Sequence, residues 1–292
     1  MKIPLGDSCP LDLEATLCCG QAFRWAKLGE WWLGIINDRP LKMRQTGNEL
    51  EFENVPSEFV KTYLRLTDDL PGIYSQIGKD ACIRRAIERF RGLRILRQDP
   101  WECLVSYICA TYKSIPAIRQ MLTNLSRKFG NRVYLDGFNF YTFPTPEKLA
   151  KASDANLGEC GLGYRAKYVH QTARMVHENS FGLEHLREVT YEEARKELLN
   201  FPGIGLKAAD CISLFSLEKP EAFPIDIWIK RAILRHYSRH FPEEFITRIS
   251  NKKTLTPKEY EKLNLFGRKY FGEYAGYAQE YLYHFERTKK VD

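Results

Sequence analysis

The sequence predicts an α+β protein: a small N-terminal domain built on an antiparallel sheet, residues 1–95, followed by a larger all-helical region, residues 96–292. Three observations carry that expectation. Up to Pro56 the chain is a series of short apolar or alternating runs cut by turn residues, the pattern of a strand meander. Beyond Pro56 apolar residues recur at helical spacing behind recognisable helix starts. The composition, 44% hydrophobic and 13% aromatic over 292 residues, is globular and sufficient for two or three modest domains.

Strands are expected at Phe23-Arg24-Trp25, Trp31 to Ile36, Leu41 to Gln45 and Leu50 to Phe52, with Gly29, Asn37-Asp38 and Thr46-Gly47-Asn48 between them. The helical part opens with Asp99-Pro100-Trp101-Glu102. There the aspartate can cap, the proline lacks an N–H that would go unpaired anyway, and the glutamate faces the helix's positive end. Pro116 to Phe129 sets Ile118, Met121, Leu122, Leu125 and Phe129 on one face and stops at Gly130. Thr190-Tyr191-Glu192-Glu193 is a capping box opening a helix through Leu199. No repeat or low-complexity linker interrupts the series.

Net charge is +7, and its placement matters more than its size. Six arginines lie between Cys82 and Gln98 against the single acid Glu88. Seven lysines and arginines lie between Lys230 and Lys253 against Glu243 and Glu244. Such segments suit a polyanionic partner or plain solvated helix faces, and charge alone leaves both open. The eight cysteines show neither zinc spacing nor a C-x-x-C pair, and several sit in apolar runs. Reduced thiols, an intracellular setting and no metal site are expected: cytoplasm or nucleoid in a prokaryote, nucleus in a eukaryote. Met1 to Thr16 carries three acids and no sustained apolar run, so neither a signal nor a transit peptide is expected. No run approaches the roughly 20 apolar residues of a membrane helix, and no membrane partner is expected.

The chemistry concentrates between Leu198 and Leu234, with the helix-hairpin-helix itself at about residues 191–217. One helix ends at Leu198-Leu199-Asn200, Phe201-Pro202-Gly203-Ile204-Gly205 follow, and a second helix is expected from Leu206 to Leu217. This is a helix-hairpin-helix pattern. Gly203 and Gly205 allow a tight turn with backbone close to a ligand, and the second helix offers unpaired N–H groups at its positive end. That arrangement holds a phosphate without reading sequence, although a Pro-Gly-x-Gly loop equally serves as a simple connection. Lys207 stands just past the turn, where the helix dipole disfavours a cation. Asp226 is placed to cap the next helix, and the sequence leaves open whether it is only a cap or also brings a carboxylate beside that amine. An amine attacking a sugar C1′ must be neutral, and burial at the hairpin is expected to lower its pKa. A fixed carboxylate would stabilise the positive charge developing on the sugar.

Leu199 to Cys211 followed by Pro224-Ile225-Asp226 resembles the 8-oxoguanine DNA glycosylase/AP lyase family of the helix-hairpin-helix superfamily. The likeness extends to Cys19 to Trp25, Leu93 to Cys103, Gly161 to Val169 and Tyr274 to Gln279, in family order over most of the chain. The resemblance implies a bifunctional enzyme that flips oxidised guanine out of double-stranded DNA, acting as a monomer with no required cofactor. It makes Lys207 the nucleophile, assisted by Asp226. It has the Gly20 carbonyl accept the N7–H that oxidised guanine has and guanine lacks, Gln279 read the Watson–Crick edge, and Cys211 and Tyr283 sandwich the base. DNA contacts would come from Gly203, Gly205, Tyr112, Lys113, Tyr164 and Arg165.

Departures from the family pattern matter too. Tyr112, Lys113 and Ser114 occupy positions where the family carries asparagines, and Ala117 stands where it carries an arginine that reads the orphaned cytosine. A weaker preference for cytosine opposite the lesion is expected. Trp228 replaces a histidine that often contacts phosphate, and no base role is assigned to it. Alkylated-base glycosylases generally lack a hairpin lysine. Endonuclease III relatives hold an iron–sulfur cluster on four cysteines after the hairpin, and this chain has no cysteine beyond Cys211. A non-catalytic DNA-binding module would have no use for Lys207, Asp226 and Gln279 together.

Overall fold

The computed structural model describes residues 1–178 and 183–289. Its N-terminal sheet contains β1 (Lys2–Pro4), β2 (Ala26–Leu28), β3 (Trp31–Ile36), β4 (Arg39–Thr46) and β5 (Glu49–Glu53), all antiparallel in the order β1-β5-β4-β3-β2. β3 and β4 pair up to Ile36 and Arg39, so only Asn37 and Asp38 make the turn, both at positive φ. That is the turn whose twist matches the flanking strands. Leu41 and Met43 alternate with Leu50 and Phe52 to fill the inner face.

Phe23-Arg24-Trp25 is not a strand. Trp25 is a peg: its ring packs on Gly34, where a Cβ would come within 2.9 Å, and its indole N–H donates to the Tyr63 hydroxyl at 2.9 Å. Arg24 turns away to pair with Glu102 at 2.7 Å. Side chains committed to three different partners leave that backbone no ladder to join.

Helices α1 (Leu13–Cys18), α2 (Ser57–Tyr63), α3 (Leu70–Ile77) and α4 (Ala81–Arg89) accompany the sheet. The helical region then runs through α5 (Pro100–Ala110), α6 (Ile115–Phe129), α7 (Pro146–Ala150), α8 (Asp154–Gly158), α9 (Arg165–Glu178), α10 (Tyr191–Leu198), α11 (Leu206–Ser216), α12 (Ile227–Ala232), α13 (Glu243–Ser250), α14 (Pro257–Phe271) and α15 (Ala275–Thr288). The expected helix starts are present. Asp99 Oδ1 accepts the Glu102 N–H at 2.8 Å, and Thr190 and Glu193 complete their capping box. The region is not all helical, however. β6 (Arg132–Leu135) and β7 (Phe138–Tyr141) form a hairpin around Asp136-Gly137, both at positive φ.

Two apolar clusters hold the fold. One joins the sheet's inner face to α1 and α2; the other gathers α3 and α4 with the helices from α5 to α15. The basic segments are partly structural rather than exposed. Arg94 is wholly buried, its Nε donating to the Pro10 carbonyl at 2.9 Å and its Nη1 to that of Arg65. Arg97 pairs with Glu218 at 2.5 Å, and buried Lys230 donates to the Lys252 carbonyl. Arg84, Arg85, Arg89 and Arg91 remain exposed. None of the described helices is long and apolar enough to cross a membrane.

Candidate active site

The hairpin between α10 and α11 is shaped by Gly203. Its φ is +84°, and a Cβ there would lie 2.7 Å from the Tyr168 ring, so only glycine fits. Gly205 differs from the expectation: its φ is negative and open space surrounds it. The glycine is not needed for the turn. What it leaves is an uncovered approach to the first N–H groups of α11, which no capping side chain satisfies.

One turn into α11, Asp210 anchors this hairpin to the core. Its carboxylate accepts from the Tyr191 hydroxyl at 2.7 Å, the Tyr260 hydroxyl at 2.5 Å, Arg195 Nε at 2.6 Å and Asn264 Nδ2 at 2.9 Å. α10, α11 and α14 are thereby tied through one buried group. Burial nevertheless pushes its pKa up to about 6, against the pull of Arg195.

Lys207 projects from the opposite end of this turn. It is exposed, not buried as expected, and its ammonium lies 6.0 Å from the centroid of the buried Tyr107 ring. Asp226 does cap α12, with Oδ1 accepting the Ile229 N–H at 2.8 Å. Burial raises the Asp226 carboxyl above its usual range, while that backbone N–H and the charge of Lys207 oppose the rise. The Lys207 charge acts on Asp226, and no contact ion pair joins the two among the described residues.

Of the residues expected around a base, Gly20 and Tyr283 are brought together, and the charges of Lys207 and Asp226 act on Cys211. Cys211 is buried on α11, and burial pushes its thiol up to about 12, so it is a neutral, polarisable face. Tyr283 is half-buried on α15, with the Arg287 guanidinium 5.2 Å from its ring. Gly20 has φ +105°, and a Cβ built on it would meet the Tyr283 hydroxyl at 3.3 Å, Ile115 Cδ1 at 3.2 Å and Arg287 Nη1 at 3.2 Å. Arg287 also donates to the Cys18 carbonyl at 2.7 Å, locking α15 to the segment that carries Gly20. Gln279 is 4% exposed, and its Oε1 has no hydrogen-bond partner among the described residues. Buried polar atoms are seldom left so.

The exposed rim is aromatic. Tyr112 is 84% exposed at positive φ, Lys113 and Ser114 beside it are exposed, and Tyr164 is 58% exposed. Arg165 does not join this rim. It is buried, donates to the Thr111 carbonyl and lies 4.4 Å from the Tyr164 ring, so it props up both tyrosines rather than meeting solvent. Sequence reasoning missed Asp210, Tyr107, Glu280 and Arg287. For Asp210 a signal was present, since it interrupts the run Ala208-Ala209 to Cys211-Ile212 of small and apolar residues.

Family models place this geometry. "8-oxoguanine DNA glycosylase, N-terminal domain" matches residues 3–104, and "HhH-GPD superfamily base excision DNA repair protein" matches residues 105–255. The chain belongs to the 8-oxoguanine DNA glycosylase family. The N-glycosylase/DNA lyase of Saccharomyces cerevisiae is 31% identical over 94% of this chain and 82% of its own length. The N-glycosylase/DNA lyase OGG1 of Arabidopsis thaliana is 32% identical over 94% and 76%. Among solved structures, the 8-oxoguanine glycosylase/lyase of Clostridium acetobutylicum, in complex with double-stranded DNA containing cytosine opposite 8-oxoguanine, superposes with a TM-score of 0.85. It is 31% identical and covers 95% of this chain and 92% of that one. The α+β architecture of the family, sheet domain plus helical hairpin domain, is the one described above.

Proposed function

We propose that this chain excises 8-oxoguanine from duplex DNA through a Schiff base on Lys207 and then cleaves the strand by β-elimination. The flipped base enters between Cys211 and Tyr283. Its N7–H donates to the Gly20 carbonyl, where the bare N7 of guanine would oppose one acceptor with another. The Watson–Crick edge supplies N–H donors to the orphaned Gln279 Oε1. The neutral Lys207 amine attacks C1′, the C1′–N9 bond breaks with its electron pair leaving on the base, and Asp226 stabilises the positive charge on the sugar. Ring opening gives the iminium, and loss of a C2′ proton expels the 3′ phosphate. Tyr112 and Tyr164 line the exit of the base from the stack, and Lys113 with the N–H groups at Gly203 and Gly205 grips the backbone. Nothing in these steps calls for a cofactor, and one chain carries the whole pocket.

What supports this reading is that Lys207, at the start of α11, acts on the buried Asp226 carboxyl, while Gln279 on α15 keeps a buried amide oxygen without a partner among the described residues. Borohydride trapping on an 8-oxoguanine duplex tests it. The native chain gives a covalent adduct that maps to the peptide holding Lys207; Lys207→Gln gives none and excises at least about 1,000-fold more slowly. An adduct that persists in Lys207→Gln would sink the assignment.

A further inference from the structure

Arg287 has no task in the steps above, although it touches two walls of the proposed base pocket. Its Nη2 donates to the Cys18 carbonyl at 2.7 Å, two residues before Gly20, and lies 3.5 Å from His284 Nδ1. Its Nη1 donates to the Tyr283 hydroxyl at 3.3 Å and comes within 3.2 Å of where a Gly20 Cβ would stand. No carboxylate pairs with it among the described residues. A guanidinium carries five N–H groups in a rigid fork. The bonds it makes leave Nε–H and one N–H of Nη1 without an acceptor among the described residues. A tie between α15 and the Cys18 segment needs a single donor. The rest of the fork, and its charge, are surplus to that task.

The register along α15 gives the surplus a direction. Gln279, Tyr283 and Arg287 follow one another at intervals of four residues, so they form one row on one face of the helix. From the first to the last the helix rises about 12 Å. That is the reach of a purine lying lengthwise with a hydrogen bond at either end. A base stacked on the Tyr283 ring, its Watson–Crick edge toward Gln279, points its five-membered ring toward Arg287. With N7–H on the Gly20 carbonyl, the oxygen next to N7 and away from the Watson–Crick edge is O8. Oxidation changes guanine twice on this edge: it puts a hydrogen on N7 and an oxygen on C8. Gly20 answers only the first change.

We infer that Arg287 is a specificity-determining residue that donates an N–H to O8 of the flipped base, beside the bond from N7–H to Gly20. The inference rests on the base pocket proposed above. An acceptor from Gly20 and a donor from Arg287 match the donor N7–H and the acceptor O8. Guanine offers an acceptor at N7 and a bare C8–H, and so fails at both places. A donor stripped of water and left facing C–H is penalised, which adds to the reward of the correct match. The positive charge strengthens a bond to a carbonyl oxygen. The fork is also held in advance, with its carbon 5.2 Å from the Tyr283 ring centroid and Nη2 on the Cys18 carbonyl, so little freedom is lost on binding.

Equilibrium binding to three duplexes tests this. Each carries, opposite cytosine, a 2′-fluoro sugar that blocks excision, with 8-oxoguanine, 8-thioguanine or guanine as the base. Sulfur is a weak acceptor and 8-thioguanine keeps N7–H, so the first two differ only at the proposed contact. The native chain binds 8-oxoguanine about 10- to 100-fold more tightly than 8-thioguanine. In Arg287→Met that preference falls to within about threefold, while both lesions stay ahead of guanine through Gly20. An equal loss on all three duplexes makes Arg287 a strut alone and overturns the inference, as does a preference for oxygen over sulfur that survives in the variant. Arg287→Lys, which keeps the charge and a donor, falls between the two and replaces the methionine variant if that one does not fold. A crystal structure of the native chain on the 8-oxoguanine duplex removes the larger size of sulfur from the question. An Arg287 nitrogen then lies about 3 Å from O8, whereas a guanidinium bonded to O6 or turned to solvent overturns the inference. Failure of the underlying reading looks different: a native chain that binds 8-oxoguanine and guanine alike lacks the pocket itself.

Discussion

Asp210 and the pair Gln279-Glu280 are all buried and polar, and they are treated in opposite ways. Asp210 takes hydrogen bonds from four side chains on three helices. Gln279 and Glu280, adjacent on α15, each keep one buried oxygen without a partner. A folding chain has every physical reason to satisfy such atoms. The first arrangement is therefore read as support for the hairpin, and the second as room kept for something not yet bound.

The largest effect that would break the comparison is on stability. Asp210→Asn removes the buried carboxylate on which four side chains converge, leaving half-buried Arg195 with Glu261 alone, and is expected to cost about 3 kcal/mol in urea or thermal unfolding. A variant as stable as the native chain would show that the network is not the support described. Glu280→Gln should behave in the reverse sense. A folded-state pKa raised from 4.5 to about 7 gives stability that is present below 4.5 and lost as pH rises through 7. Relative to the glutamine variant, the native chain should weaken by up to about 3 kcal/mol across that window and then stay level. A constant difference in melting temperature over the same window would contradict it. Gln279→Ala sharpens the contrast further. It should leave stability intact while slowing 8-oxoguanine excision roughly 100-fold, about 2.7 kcal/mol of barrier; an unstable variant with normal chemistry would reverse the assignment. The smallest effect concerns the opposite strand. With Ala117 in place of an arginine and Tyr112 as an exposed wedge, excision opposite cytosine should exceed that opposite adenine by no more than about tenfold. A steep preference for cytosine would place its reader elsewhere.

Much of the architecture was legible because it rests on local signals. Asp99, Thr190 and Asp226 cap the helices they were expected to cap, since capping depends on a few neighbouring atoms. β6 and β7 were overlooked although Asp136-Gly137 between aromatic residues is a hairpin signal, because helical periodicity on both sides dominated the reading. Other features were out of reach. Nothing in a run of arginines tells that Arg94 is wholly buried while Arg91 is exposed. The exposure of Lys207 beside the Tyr107 ring follows from how α5 and α11 meet, and no single segment records that. The resemblance supplied Gly20, Gln279 and Tyr283, which by themselves look like an ordinary turn and ordinary core.

The bond from Arg287 to the Cys18 carbonyl joins residues 269 positions apart. One wall of the base pocket proposed above is thus made near the beginning of the chain and the other near its end. The proposed α10–α11 grip on the phosphates, by contrast, is assembled from neighbours. On that reading, fraying at either terminus would blind the protein to the lesion well before it let go of the duplex, and lesion discrimination would be a readout of how completely the chain has closed on itself.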